Sequence, residues 1–310
     1  MRDTRPAAIS RQPTGPWPVH FALGAAQAGF ALFPTLGKLT LMSVPPLPLA
    51  ALRVTGAALM LELIRRLSRG EALEREDRKR VLLYGILGVS LNQVCFILGL
   101  SLTTAINTTI LTATIPVFTL GVAVLLKRES LTVSAAAGIV LAGAGALVLV
   151  NVHNFDWHSR YARGNLLLLG NALAYALYLV LSRPILAHYR VITVVSRVFL
   201  YGAPGILLFT APALLRFAPS SVSPRSWAAL AGVVVLCTVV PYVLNSWALA
   251  RTGASRVAVY VFLQPLIATA LAIVVLHERL TARTVVAGLL ILGGLAVSLA
   301  QRRLPAEEVA

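Results

Sequence analysis

Apolar residues fill this chain in runs of about twenty, the length that carries an α-helix across the hydrocarbon layer of a membrane. Short polar breaks separate the runs, and the expected spans are 18–39, 47–66, 81–101, 105–126, 132–150, 164–182, 192–215, 226–248, 255–276 and 281–301. The breaks leave no room for a soluble domain, and short connections favour antiparallel neighbours. A polytopic all-α membrane protein of ten transmembrane helices is the fold this pattern predicts.

The pattern also repeats. Moving the chain by about 149 positions lays Ala105–Thr132 over Ala254–Thr281, so that Pro116 falls on Pro265, Glu129 on Glu278, Leu131 on Leu280 and Thr132 on Thr281. Upstream, Lys38 corresponds to Arg183 and Arg53 to Arg197. The expected organisation is a tail (1–17), a first repeat of five helices (18–150), a second repeat of five (164–301) and a tail (302–310). Five spans per repeat is an odd number, so the second half enters the membrane inverted with respect to the first.

Charge changes the picture only in orientation. The formal net charge is +16, but the basic residues gather at the ends of apolar runs, so nucleic-acid binding is not expected. With the N-terminus in the cytoplasm, about eighteen Lys and Arg fall on the inner side against about six or seven outside, Arg65 to Arg80 forming the densest cluster. Both termini are therefore expected in the cytoplasm of a bacterial cell with the chain in the inner membrane. The first apolar run outlasts a cleavable signal core and is expected to be retained.

These residues resemble the EamA transporters of the drug/metabolite transporter superfamily. The resemblance rests on the mid-helix prolines Pro116 and Pro265, the Glu-Ser-Leu-Thr and Glu-Arg-Leu-Thr turns at Glu129 and Glu278, the small-residue helix after each turn, and Arg53 early in span two. It implies two inverted five-helix repeats around a central cavity lined mainly by helices one, three, four, six, eight and nine, and movement of small metabolites by alternating access. Membership implies no particular solute, since fold and cargo vary independently.

Polar groups are costly inside a bilayer, so those on the expected lining helices are the candidates for solute binding. They are Gln27 and Lys38 on span one, Asn92 and Gln93 on span three, Asn107, Thr108 and Thr112 on span four, Asn171, Tyr175 and Tyr178 on span six, Tyr242 and Asn245 on span eight, and Tyr260 and Gln264 on span nine. Tyr260 and Gln264, one turn apart before Pro265, make the favoured pair. Pro116 and Pro265 are candidate hinges, because proline removes a backbone donor and frees a carbonyl. Arg53 and Arg197 fall on spans two and seven, which are not expected to line the cavity, and a structural role is favoured for both. Glu129 and Glu278 are expected to be helix corners, capping the following helix with Thr132 and Thr281 or pairing with neighbouring bases.

No Asp or Glu occupies the middle of any span, Glu62 being the nearest. Exchange of protons for cations through a buried acid is therefore disfavoured, and a neutral, zwitterionic or anionic solute such as an amino acid is expected, with export the favoured direction. Export of xenobiotics on the same fold is the alternative. An intramembrane enzyme acting on lipid is a third reading, but no catalytic motif appears. His153, Asp156 and His158 lack the register of a metal site, and Cys95 and Cys237 sit inside apolar runs, so no metal or cofactor is expected. The small-residue spans five and ten can pack within one chain or between two; a monomer is expected.

Overall fold

The computed structural model describes residues 16–127, 133–150, 159–252, 257, 260, 261 and 263–300. Its regular structure is helical, with no strand among these residues. The elements are α1 (Pro16–Thr40), α2 (Pro46–Leu67), α3 (Arg75–Leu102), α4 (Ala105–Leu125), α5 (Val133–Val150), α6 (Arg160–His188), α7 (Val191–Leu215), α8 (Pro224–Arg251), α9 (Leu263–Leu276) and α10 (Ala282–Ala300).

Seven of these, α1 to α4 and α6 to α8, are long and apolar enough to cross a membrane. The sequence predicts ten such spans, and the described residues show seven. In α5, α9 and α10 the apolar stretches are shorter, Ala136–Gly145, Ile267–Leu276 and Ala282–Gly294, and the expected spans 132–150, 255–276 and 281–301 each fall partly outside the described residues. The corner residues Glu129 and Thr132, the loop with His153, Asp156 and His158, residues 1–15 and the tail 302–310 also lie outside them.

Local chemistry explains the helix starts. Pro46 opens α2 where its missing donor costs nothing. Thr104, Ser223 and Thr281 each accept a bond from the backbone N–H three residues on, at 3.0, 3.1 and 3.2 Å. These are side-chain caps on the free donors of α4, α8 and α10. Lys127 and His277, just beyond α4 and α9, have φ of 53° and 54°, left-handed residues that turn the chain out of the helix.

Packing follows a pattern of exchange between halves. α1 lies against α8 and α9, while α6 lies against α3 and α4; α2 packs on α7, and α5 on α10. Where α3 crosses α7 the backbones touch: a Cβ on Gly85 would sit 2.8 Å from the Gly202 nitrogen, and one on Gly202 would sit 2.6 Å from the Gly85 carbonyl oxygen. Only glycine permits that approach. Leu59, Leu63, Leu208, Phe209, Val274 and Leu289 are exposed, an outward apolar surface that lipid would cover.

Each end of the bundle is tied by polar contacts. At the Glu62 end, the Glu62 carboxylate accepts from Arg65 (2.8 Å), Arg66 (2.9 Å) and Ser196 (2.9 Å), with Arg197 at 3.7 Å, which joins α2 to α7. Tyr189, beyond α6, donates to Asp77 of α3 at 2.9 Å, and burial pushes the pKa of this phenol up, keeping the donor proton in place. At the opposite, Thr103 end, Glu278 accepts from the backbone nitrogens of Ala105 (2.8 Å) and Ile106 (3.0 Å). The sequence offers Glu278 as a cap, together with Thr281, for its own following helix, or as a partner of neighbouring bases. Instead Thr281 fills that position, and Glu278 caps α4 of the other half, where the donors and the helix dipole are free to meet a carboxylate.

Candidate functional site

Two irregularities shape the centre of the molecule. α3 widens into a π turn at Ile86–Leu91, and α8 does the same at Val235–Val239, the equivalent position about 149 residues later. A π turn inserts one residue into the helix, rotates the side chains that follow, and often marks a functional site. The residues just beyond the two turns, Asn92 and Gln93 on α3 and Tyr242 and Asn245 on α8, face one another across the middle of the bundle. α4 is interrupted at Ala113–Thr114, immediately before Pro116. A helix broken near mid-span is a feature of transporter folds.

Between these elements lies a cavity of about 780 Å³, its open mouth included. A continuous polar chain runs along its wall. Gln264 of α9 donates to Gln27 of α1, Gln27 donates to Asn245 of α8 (3.3 Å), and Asn245 donates to Tyr175 of α6 (3.5 Å). Gln93 donates both to Tyr242 (3.0 Å) and to Asn92 (3.0 Å). Asn92 and Asn171 exchange side-chain donors for each other's backbone carbonyls, at 3.3 and 3.0 Å, which joins α3 to α6. Such bonds between membrane helices contribute about 0.6 to 2 kcal/mol each. The ring of Tyr242 is held edge-on by Phe30, Tyr175 and Phe199, with centroids 5.5, 6.1 and 4.9 Å away.

The structure gathers Gln27, Asn92, Gln93, Thr112, Asn171, Tyr175, Tyr242, Asn245 and Gln264 at this cavity. Five candidates lie elsewhere. Lys38 turns to the Thr103 end and donates to the Thr103 carbonyl, because it stands on the last turn of α1 where carbonyl acceptors are near. Asn107 bonds Thr103 and Thr284 at the same end. Thr108 faces inward but returns its hydroxyl to the Thr104 carbonyl at 2.8 Å, the usual habit of threonine in a helix. Tyr178 is buried beneath Gly88 rather than in the cavity. Tyr260 is hydrogen-bonded to His20 on α1, and of the favoured pair only Gln264 lines the space.

Arg53 is the correction in the other direction. It lies on α2, which is not an expected lining helix, yet it reaches the cavity wall and is only 2% exposed. Its Nε donates to Thr238 in the π turn of α8 at 2.7 Å, its Nη1 donates to Gln93, and its guanidinium carbon lies 3.5 Å from the centre of the Phe33 ring. A straight α8 would point Thr238 elsewhere, and sequence periodicity does not report a π turn. Phe30, Phe33, Phe96, Thr109 and Thr119 also line the cavity, beyond the candidates. The cavity wall contains no carboxylate among the described residues, and those residues hold no cluster of metal-ligating side chains.

Contacts join the two halves at the Thr103 end of the cavity. Phe33 and Phe96 stack at 4.6 Å; beyond them Lys38 holds the Thr103 carbonyl, Thr103 donates to Asn165 of α6 at 3.0 Å, and Glu278 clasps the start of α4. In the opposite direction the lining continues through Thr119, Leu179 and Val257.

The molecule is a multi-pass helical bundle with packing exchanged between halves and a central cavity that carries amide and phenol groups. The chain belongs to the EamA-like transporter family, whose model matches residues 17–151 and 162–300. Among similar proteins is an uncharacterized transporter of Archaeoglobus fulgidus, 30% identical over 217 residues, or 69% of this chain and 74% of the relative. The uncharacterized transporter YetK of Bacillus subtilis is 23% identical over 92% of this chain and 88% of its own length. A solved crystal structure at 22% identity covers 92% of this chain and 98% of its own, with a TM-score of 0.65, and shows the fold.

Proposed function

We propose that the protein is a secondary transporter that moves a small metabolite, an amino acid or a similar neutral, zwitterionic or anionic solute, outward by alternating access. The observation that carries this reading is the cavity itself: its polar wall is assembled from α1, α3, α6, α8 and α9, so both halves of the chain hold the space that a solute would occupy. Two matches of the family model, the exchanged packing and the paired π turns support two inverted five-helix repeats of ten spans, 18–150 and 164–301.

Transport then proceeds as a change in which end is closed. With the positive-rich Glu62 end in the cytoplasm, the Thr103 end is external, and in this reading Glu278, Lys38 and the Phe33–Phe96 stack serve as the external closure. Pro116 and Pro265 are the bending points, because each lacks the backbone donor that a helix would use there. Xenobiotic export is less favoured, because the wall offers no acid for the cations common among drugs. Both termini are placed in the cytoplasm, the chain in the bacterial inner membrane, and the working unit is a monomer. Flux of solutes from sealed vesicles, with Gln264→Ala as comparison, tests the reading; equal retention by protein-containing and protein-free vesicles overturns it.

A further inference from the structure

The two repeat-related arginines have opposite surroundings. Arg197 has a carboxylate, Glu62, at 3.7 Å. Arg53 is fully enclosed, and its hydrogen-bond and ring partners are neutral: the Thr238 hydroxyl, the Gln93 amide oxygen and the face of Phe33. The spacing that relates Arg53 to Arg197 places Ile206 at the position of Glu62, and Ile206 is buried. The second half thus has an aliphatic side chain where exchange of the halves calls for the counter-ion of Arg53.

A buried guanidinium without a neighbouring anion is costly, since the charge has lost water and gained no opposite charge. Arginine remains protonated in such places, so neutralising itself is not an available escape. Nε and Nη1 are occupied, and Nη2 has no acceptor among the described residues, at a wall of the cavity that holds no Asp or Glu. The aromatic face of Phe33 lies against the guanidinium carbon, and Phe33 stacks on Phe96, also in the lining. This leaves a donor with a flat apolar neighbour at the cavity wall.

We propose that Arg53 is an anion subsite of the cavity and that the anion it takes is the carboxylate of the transported solute. The proposal rests on the transport reading and narrows its substrate class to small carboxylates, zwitterions included. The carboxylate binds the Nη2 side of the guanidinium, Thr238 and Gln93 hold the guanidinium in orientation, and the remainder of the solute lies along Phe33 and Phe96 and the amides of Gln27, Asn245 and Gln264. Charge-assisted hydrogen bonds of this kind exceed those to neutral acceptors about twofold in strength. A neutral analogue therefore loses much of its affinity.

The test uses the full-length protein in lipid nanodiscs and thermal unfolding with propionate, benzoate, L-threonine and L-phenylalanine, each beside its primary amide, at constant ionic strength. A ligand that binds only the folded protein raises its transition. At least one acid is expected to raise it at concentrations at least tenfold below those its amide requires. In Arg53→Gln that preference disappears, while Gln93→Glu, which supplies an internal counter-ion beside Nη1, abolishes the response to acids. No acid acting more strongly than its amide overturns the subsite, as does an acid preference surviving in Arg53→Gln. Vesicle flux of the same amides separates the two claims: amides that move without acid preference refute the subsite and leave transport standing, whereas no movement of any solute refutes the transport reading.

Discussion

Gln93 and Tyr242 stand 149 residues apart, occupy the same position in the two repeats, and are hydrogen-bonded to each other at 3.0 Å. Two repeat-equivalent residues meet only where the two halves meet, so this bond marks the centre of the molecule. Gln93 also receives Arg53 and donates to Asn92, and the Tyr242 hydroxyl is 3.4 Å from the Gly88 carbonyl oxygen that accepts from it. Gln93→Leu leaves three buried polar groups without this partner. It is expected to destabilise the protein by about 1 to 3 kcal/mol, and Tyr242→Phe by about 1 kcal/mol, read as lower unfolding transitions in nanodiscs. Unchanged transitions in both contradict a central network.

Gln264 and Tyr260, close in sequence, are separated by the structure. Gln264 lines the cavity, while Tyr260 is engaged with His20. Gln264→Ala should lower solute flux about tenfold, the effect of losing about 1.4 kcal/mol of binding, with little change in the amount of folded protein. Tyr260→Phe should retain most of the flux. The reverse order of effects places the solute nearer His20.

Glu278 acts on the half to which it does not belong. Its carboxylate caps the start of α4, and Glu278→Ala removes the acceptor for the Ala105 and Ile106 donors. Loss of a helix cap costs about 0.5 to 2 kcal/mol, here subtracted from the closed state of the Thr103 end. A cysteine placed at Thr109 in a background without Cys95 and Cys237 is expected to react faster with an external membrane-impermeant thiol reagent when Glu278 is Ala. Equal labelling rates show that the cap does not hold this end shut.

The crossing of α3 and α7 tolerates no side chain. Gly85→Leu and Gly202→Val press into backbone 2.6 to 2.8 Å away and should each lower the yield of folded protein sharply, with a cost above about 1 to 3 kcal/mol. Gly24→Ala and Gly121→Ala, where nothing lies within 4 Å, are the matched substitutions expected to leave yield unchanged. Size-exclusion profiles of the detergent-extracted variants distinguish these outcomes.

The broad architecture was legible because the bilayer imposes long apolar runs, and because the repeat leaves paired prolines and paired glutamate turns at constant spacing. Amides such as Gln27, Asn171 and Asn245 were legible as cavity residues for a similar reason: at mid-span they need partners, and partners gather at the centre. Three things were hidden. The π turns in α3 and α8 add a residue without altering the apolar pattern, so the reach of Thr238 to Arg53 has no periodic signature. The recruitment of Glu278 to α4 depends on packing between halves that lie 172 residues apart in sequence or more. Lys38 and Asn107 look like cavity residues on a helical wheel, but their height in the bundle decides their role, and both stand at the Thr103 closure.

Release of solutes from proteoliposomes tests the central claim most directly. Vesicles holding the wild-type protein or Gln264→Ala are loaded with a defined mixture of amino acids, other small carboxylates and their amides, and the solutes outside are quantified by mass spectrometry over time. The account predicts that one or a few carboxylate-bearing solutes leave wild-type vesicles faster than protein-free ones, and that this excess falls about tenfold in Gln264→Ala, as loss of one wall contact of about 1.4 kcal/mol requires. Identical release from wild-type, variant and protein-free vesicles would contradict transport through this cavity.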